Sequence, residues 1–303
     1  LFTKHHEADG DAAAHRFAEE SLAALALALI VVTIAAEIAM VWLTYLLAPG
    51  FATDPAKFDM TVLLSRIAFP YLLLISLATL LAGALNGIGR FAAAAFSQSL
   101  LNVVLIAALV FLWWNGEVGT LRAGVLLTAS LTLGGVIQLA FLAVVCRRAG
   151  INLRLVWPRW TAGVKRLTRL ALPSVVAGGI TQINIVVGTI IASLQAGAVS
   201  WLYYADRLYQ LPLGIVGIAI GVVLLPDLSR ALRAGRQDVV DHTQNRAIEF
   251  AAALTLPATV ALLVIPGPII SVLFERAAFT AADTAATAPA LAAYAAGLPA
   301  FVA

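Results

Sequence analysis

The sequence predicts an all-α fold, a polytopic bundle of about eight transmembrane helices, and three observations predict it. Hydrophobic residues make up 62% of the chain and charged residues 12%, where soluble domains are about a quarter charged, and the mean hydropathy is +0.96. Eight apolar stretches follow one another, at residues 22–47, 60–85, 96–114, 123–145, 170–194, 201–225, 247–274 and 284 to the end. Each complete stretch is close to or above the roughly 20 residues a helix needs to cross the hydrocarbon. The 19 Lys and Arg are divided unevenly between alternating connections: fourteen on one side, only Lys57, Arg122 and Arg276 on the other, with Arg66 and Arg207 inside spans. An excess of basic residues marks the cytoplasmic side, so that side, and both chain ends with it, is assigned to the cytoplasm. The net charge of +3 reflects this topology and predicts no nucleic-acid partner.

In chain order, residues 1–20 are polar and helix-prone and lead into the first span as a loop or surface helix. That span holds Glu37 in IVVTIAAEIAMVWL. A carboxylate is costly in hydrocarbon, which makes Glu37 a candidate ion-coupling group, while a hydrogen bond to a neighbouring helix is the simpler reading. The second span has Arg66 in its first turns and Ser76, Thr79, Gly83 and Asn86 along one face; Gly178, Gln182 and Thr189 repeat the pattern in the fifth. Such small and polar stripes allow close helix packing and are expected to point inward. Pro70, Pro173, Pro212, Pro257 and Pro266 fall within spans, where proline is tolerated.

The connection at 146–169, RRAGINLRLVWPRWTAGVKRLTR after Cys146, is basic, with Trp157 and Trp160 suited to headgroup level. It is expected to lie on the cytoplasmic membrane surface, as an ordinary positive loop or as an element contacting membrane lipids. It divides the chain into residues 1–145, the linker 146–169 and residues 170–303. A charged stretch, PDLSRALRAGRQDVVDHTQNRAIEF, feeds the seventh span as residues 1–20 feed the first, about 226 residues apart. This spacing predicts a six-span repeat with two spans ahead of Leu1, and repeats of this sort place transporter sites between halves. The start on Leu1 without a signal sequence, and the end within an apolar run, also read as an internal fragment.

The sixth stretch departs from the pattern. Residues 200–226, SWLYYADRLYQLPLGIVGIAIGVVLLP, are apolar enough to span, yet carry Asp206 and Arg207 well inside one end. Tyr203, Arg207, Gln210, Gly214, Gly217 and Gly221 follow helical steps of three and four, so they share one face. Pro212 is expected to kink the helix. An Arg at membrane depth costs roughly 2.5 to 3.5 kcal/mol on insertion scales. Either it pairs with Asp206 or snorkels to the surface, or it faces a cavity and receives an anion, phosphate being the match for its fork of donors.

Enzyme chemistry has no signature here: no glycine-rich phosphate loop, nucleophile elbow or HExxH zinc motif occurs. Cys146 is the one cysteine, which excludes an internal disulfide, and His5 with His6 is too little for a metal site. No cofactor is predicted beyond a coupling ion or the membrane potential.

Several segments carry a family resemblance: LLAPGF at 46–51, FPYLLLISL at 69–77, GALNGIGRF at 83–91, the region of Asn102, and above all WLYYADRLYQLPLGIVGIAIGVVLLPDLSR at 201–230. Over essentially its whole length the chain resembles the MurJ/MviN family of lipid II flippases, within the multidrug/oligosaccharidyl-lipid/polysaccharide exporter superfamily. Its eight spans resemble the third to tenth of that family's fourteen helices. The resemblance implies a pair of six-helix lobes around a cationic cavity that alternates between inward-open and outward-open states in the bacterial inner membrane. It implies lipid II, the undecaprenyl-pyrophosphoryl disaccharide pentapeptide, as substrate for peptidoglycan synthesis and hence cell wall and cell shape. Arg207 matches a functionally important family arginine, with Asp206 before it, and Tyr203 and Gln210 extend the candidate substrate-binding set; Glu37 matches no family functional residue. The remaining readings are a flippase for another lipid-linked oligosaccharide, a cation-coupled drug antiporter, or a non-transporting membrane scaffold binding cell-wall synthesis proteins.

Overall fold

A computed structural model describes residues 11–151, 156–158, 160–219, 228, 230–232 and 234–302. Expectations for residues 1–10, Arg154, Arg159, Gly221, the rest of the sixth span to Leu225, and Arg233 lie outside the described residues. The described chain is helical, with no strand among the described residues: α1 (Asp11–Leu47), a 3-10 turn (Pro49–Thr53), α2 (Pro55–Ala68), α3 (Pro70–Gly87), α4 (Phe91–Trp114), α5 (Leu121–Arg148), α6 (Ala162–Ser193), α7 (Ala198–Ala219), α8 (Gln237–Val264), α9 (Pro266–Phe274) and α10 (Ala281–Val302).

Among the described residues, six stretches are long and apolar enough to cross a membrane: Arg16–Leu47, Pro55–Gly87, Phe91–Trp114, Leu121–Arg148, Gly163–Ser193 and Gln237–Val264. The other two expected spans are present as α7 and α10, each of 22 residues. α7 is diluted by Asp206, Arg207 and Gln210. Ile38, Trp42, Ile106, Trp113, Val175 and Val272 stand exposed, the inverse of a soluble surface and the expected state of side chains whose solvent is lipid. The chain is therefore an all-α, multi-span membrane protein.

The described residues pack into two compact units, Leu1–Ile190 and Ile191–Ala303. In the first, the second span starts at Pro55, earlier than the apolar run suggests. Asp54 caps α2 by accepting from the Lys57 amide at 3.2 Å, and Pro55 occupies the first turn, where its missing N–H costs nothing. Arg66 consequently sits in the last turn of α2, mid-span, rather than near an end. The hydrogen-bond ladder of the span is interrupted at Phe69–Pro70, while Phe69 itself keeps helical dihedrals (φ −60°, ψ −37°). Proline disturbs the carbonyls of the preceding turn, and Thr132 of α5 answers by donating its hydroxyl to the Ile67 carbonyl at 2.6 Å, the kind of repair that lets membrane helices keep prolines.

Glycines bring the helices of this unit together. A Cβ on Gly135 of α5 would lie 2.8 Å from the Tyr71 ring and 3.1 Å from Leu74 Cβ, so α3 and α5 approach as closely as they do only because position 135 is bare. Below this contact Ala78, Leu81, Leu85, Leu142 and Cys146 form the core. Gln138 is fully buried and donates to the Ser97 carbonyl at 2.9 Å and to Gln98 Oε1 at 3.1 Å, tying α5 to α4. α5 ends in a Schellman turn: Gly150 takes φ 84°, Ile151 N–H donates to the Cys146 carbonyl at 2.9 Å, and Ile151 is buried against the core. The linker returns to the start of the chain where Thr161 donates to Glu20 Oε2 at 2.7 Å and Phe17 lies so close to Gly163 that a Cβ there would be 2.9 Å from its ring. Trp157 and Trp160 remain strongly exposed.

The polar stripe of α3 is not packed as expected. Thr79, Gly83 and Asn86 are exposed, and the buried face is Ala78, Leu81, Ala84 and Leu85. Small residues on one face permit close approach without requiring it, and the larger apolar side chains took the core.

In the second unit, α7 and α10 pack through small residues. Ala205 and Ala295 are completely buried, with Leu208, Leu291, Leu262 of α8 and Ile270 of α9 around them. The seventh span breaks at Ile265 (φ −124°, ψ 42°), immediately before Pro266, where a residue preceding proline is driven out of helical geometry. Pro173, Pro212 and Pro257 lie inside continuous helices instead. α10 begins with a reciprocal cap: the Thr280 amide donates to Asp283 Oδ2 at 2.9 Å and the Asp283 amide to Thr280 Oγ1 at 3.4 Å. Trp201 of α7 donates its indole N–H to Asp283 Oδ1 at 2.9 Å, fastening the two helices at that end.

Candidate functional site

One helix brings four of the candidate residues together. On α7, Ala205, Leu208 and Val216 are buried, whereas Tyr203, Arg207, Gln210 and Gly214 are exposed on the opposite side. The stripe is thus the open face of the unit, and the apolar face is the one consumed by packing. Arg207 lies nine residues after Ala198, about 13 Å along the axis at about 1.5 Å per residue, with its side chain turned toward Tyr203, one turn nearer the helix start.

The side chains around it form a connected set. Arg207 Nη2 is 3.6 Å from Asp206 Oδ2, too long for a hydrogen bond. The Gln210 amide, one turn from Asp206, donates to that same Oδ2. The guanidinium carbon stands 4.8 Å from the centroid of the Tyr203 ring, a cation–π position. The Arg207 side chain is 52% exposed and that of Asp206 34%, so the pair is worth little, of the order of 0–1 kcal/mol. Arg207 is therefore steered by an aromatic face and a loosely held carboxylate, and its N–H groups donate to none of the described residues. A planar fork of unused donors can take a phosphate or carboxylate in bidentate fashion.

Aromatic contacts hold the helix on both sides of this position. Tyr204 packs on Phe274 at 4.9 Å and on Phe279 at 5.0 Å, and Tyr209 on Tyr294 at 5.6 Å. In the capping turn of α10, ahead of the apolar stretch that begins at residue 284, Asp283 is held below its ordinary carboxyl value by the Thr280 backbone N–H, then by the Trp201 indole and the Thr280 hydroxyl.

Glu37 stands apart, on α1 in the first unit. Its Oε1 is enclosed and has no hydrogen-bond partner, and Thr33 Oγ1, one turn earlier, is in the same condition. The hydrogen bond to a neighbouring helix is not made by that oxygen. In the sequence Glu37 stands out alone as a charge in the span; the four-residue spacing from Thr33 is the signal that adds the second oxygen. No group of His, Cys, Asp and Glu suited to a metal occurs among the described residues.

The family model described as lipid II flippase MurJ matches residues 1–303. The chain is 49% identical over 303 residues to a probable lipid II flippase MurJ of Rhizobium meliloti, covering all of this chain and 56% of the relative. It is 47% identical to that of Rhizobium tropici, covering all of this chain and 57% of the relative. It is 34% identical over 283 residues to a lipid II flippase MurJ of Burkholderia cenocepacia, covering 90% and 53% respectively. A solved structure described as lipid II flippase MurJ in an inward closed conformation superposes with a TM-score of 0.76 at 22% identity, over 98% of this chain and 60% of that one, which shows a shared fold. The chain spans about half the length of the curated relatives it matches.

Proposed function

The chain belongs to the MurJ family of lipid II flippases, and from that premise we propose that it forms the section of a flippase in which Arg207 receives the pyrophosphate of lipid II. The substrate is the undecaprenyl-linked disaccharide pentapeptide, moved from the cytoplasmic to the periplasmic leaflet of the bacterial inner membrane, with both ends of this chain cytoplasmic. The lobes are residues 1–145 and 170–303, joined by 146–169. That the start of α6 is tied to α1 through Thr161 and Glu20 is compatible with a linker that remains anchored to the first lobe.

The observation that carries this reading is the open guanidinium: an arginine about 13 Å inside a helix, on the unpacked face, with no hydrogen-bond acceptor among the described residues. Keeping such a group in a membrane is costly, and an anionic substrate offsets the cost only while bound. Tyr203 holds the guanidinium by its ring, Asp206 and Gln210 set its direction, and no covalent bond is made or broken. Movement between leaflets requires only that the substrate stabilise one conformation more than the other.

The test uses the full-length protein in cells depleted of their own flippase, with lipid II exposure on the outer leaflet as the readout and Arg207→Ala compared at equal membrane abundance. Restored exposure by the parent and none by the variant is the expected result. Restoration by both makes Arg207 a structural residue, and restoration by neither removes lipid II as the substrate.

A further inference from the structure

We propose that Glu37 and Thr33 are the seat of one monovalent cation, a proton or a sodium ion, bound inside the first unit. Thr33, Glu37, Met40 and Thr44 follow one another along α1 in steps of four, three and four and so share one face. Met40 is buried with Phe58 and Val62, and Phe51, Ala52 and Phe69 close round them. Glu37 is therefore one turn from a dry apolar cluster, in the middle of a span, and its Oε1 is shielded from solvent without a donor.

Hydroxyls in this unit ordinarily satisfy themselves by bonding back to their own helix. Thr44 does so to the Met40 carbonyl at 2.9 Å, Thr61 to Lys57 at 2.7 Å, Thr79 to Ile75 at 2.8 Å and Thr128 to Gly124 at 2.7 Å. Thr33 departs from this, as Ser21 does: its oxygen is buried and unbonded, one turn from Glu37 along α1. Two oxygens left in this state one turn apart offer part of the oxygen shell that a small hard cation takes.

No ion pair to Glu37 occurs among the described residues. The titratable side chains on the elements packed against α1 are Lys57, Asp59 and Arg66 of α2 and Tyr71 of α3. Lys57 is engaged over the Phe51 ring at 3.9 Å, Asp59 and Arg66 are exposed, and Tyr71 packs at Gly135. A carboxylate oxygen buried with neither donor nor cation is strongly disfavoured. A proton on the carboxyl removes the charge; a sodium ion, held also by the Thr33 hydroxyl, balances it.

Binding is measured on the full-length protein, independently of any transport substrate. The melting temperature in sodium chloride against choline chloride reads the sodium arm, and the infrared band of a neutral carboxylic acid reads the proton arm. The parent is expected to show either a sodium-specific rise in melting temperature or the acid band, and Glu37→Gln, which keeps the shape, is expected to lose it. Thr33→Val should abolish the sodium effect and spare the acid band. Neither signature in the parent, or its survival in Glu37→Gln, overturns the proposal. Because no lipid II is present, failure of the flippase reading leaves this result standing, and the reverse also holds.

Discussion

Arg207 and Glu37 are both ionisable groups in membrane-spanning helices, and the two helices treat them in opposite ways. On α7 the packed face is Ala205, Leu208 and Val216, and the cation stands on the other side with its side chain half exposed. On α1 the carboxyl stands on the packed face itself, one turn from Met40, with an oxygen sealed from solvent. An open face accommodates a large ligand that arrives and leaves with its own shell of atoms; a closed seam accommodates only something the size of an ion. The same chemistry, a charge in hydrocarbon, thus points to an organic anion in one place and a small cation in the other.

The largest effect expected from disturbing this contrast is at Arg207. Loss of charge-assisted hydrogen bonds, each about 1.5–3 kcal/mol, should weaken substrate handling by about tenfold or more, and Arg207→Lys should fall between parent and Arg207→Ala because it keeps the charge without the fork. Next comes the closed side of the same helix. Ala205→Leu forces a larger side chain into a completely buried position between α7 and α10 and should lower stability by about 1–3 kcal/mol, read as a fall in melting temperature. Gly214→Ala on the open side meets nothing within 4 Å and should leave the melting temperature unchanged or raised, since alanine favours helix by about 1 kcal/mol; equal damage at both positions would mean the open face is packed.

Thr132→Val removes the donor to the Ile67 carbonyl at the second-span break and should cost about 0.6 kcal/mol, the average for hydrogen bonds between membrane helices, and at most about 2. Hydrogen exchange at the Phe69–Pro70 break is the sensitive readout. The smallest effect concerns Asp283. Its carboxyl titrates lower when folded than its ordinary value of 3.8, so its contribution is present above that value and is lost as the pH falls through the depressed one. Melting temperature should therefore fall on acidification below about pH 4, and Asp283→Asn should flatten that part of the profile.

The polar stripe of α7 was legible in the sequence because a charge among leucines at helical spacing has few meanings. The same reasoning misplaced the stripe of α3, since spacing identifies a face but not whether a neighbour covers it; Thr79, Gly83 and Asn86 are open while Leu81 and Leu85 took the core. The start of α2 was written in Asp54–Pro55 as a cap and a first-turn proline, yet the apolar run alone drew it several residues late. The Trp201–Asp283 bond joins residues 82 apart, and no local pattern reports it. Thr132 is an intermediate case: Pro70 announces a disturbed carbonyl, but not which helix repairs it. The burial of Met40, one turn from Glu37, depends on Phe58 and Val62 arriving from another helix, which the sequence of α1 does not contain.

The most direct measurement is the affinity of the full-length protein for lipid II in detergent micelles, compared between the parent and Arg207→Ala, with Ala205 and the rest of the packed face untouched. An open guanidinium that anchors the pyrophosphate predicts binding weaker by about tenfold or more in the variant at an unchanged melting temperature. Equal affinity in the two proteins would contradict it and leave Arg207 as a partner of Asp206 alone.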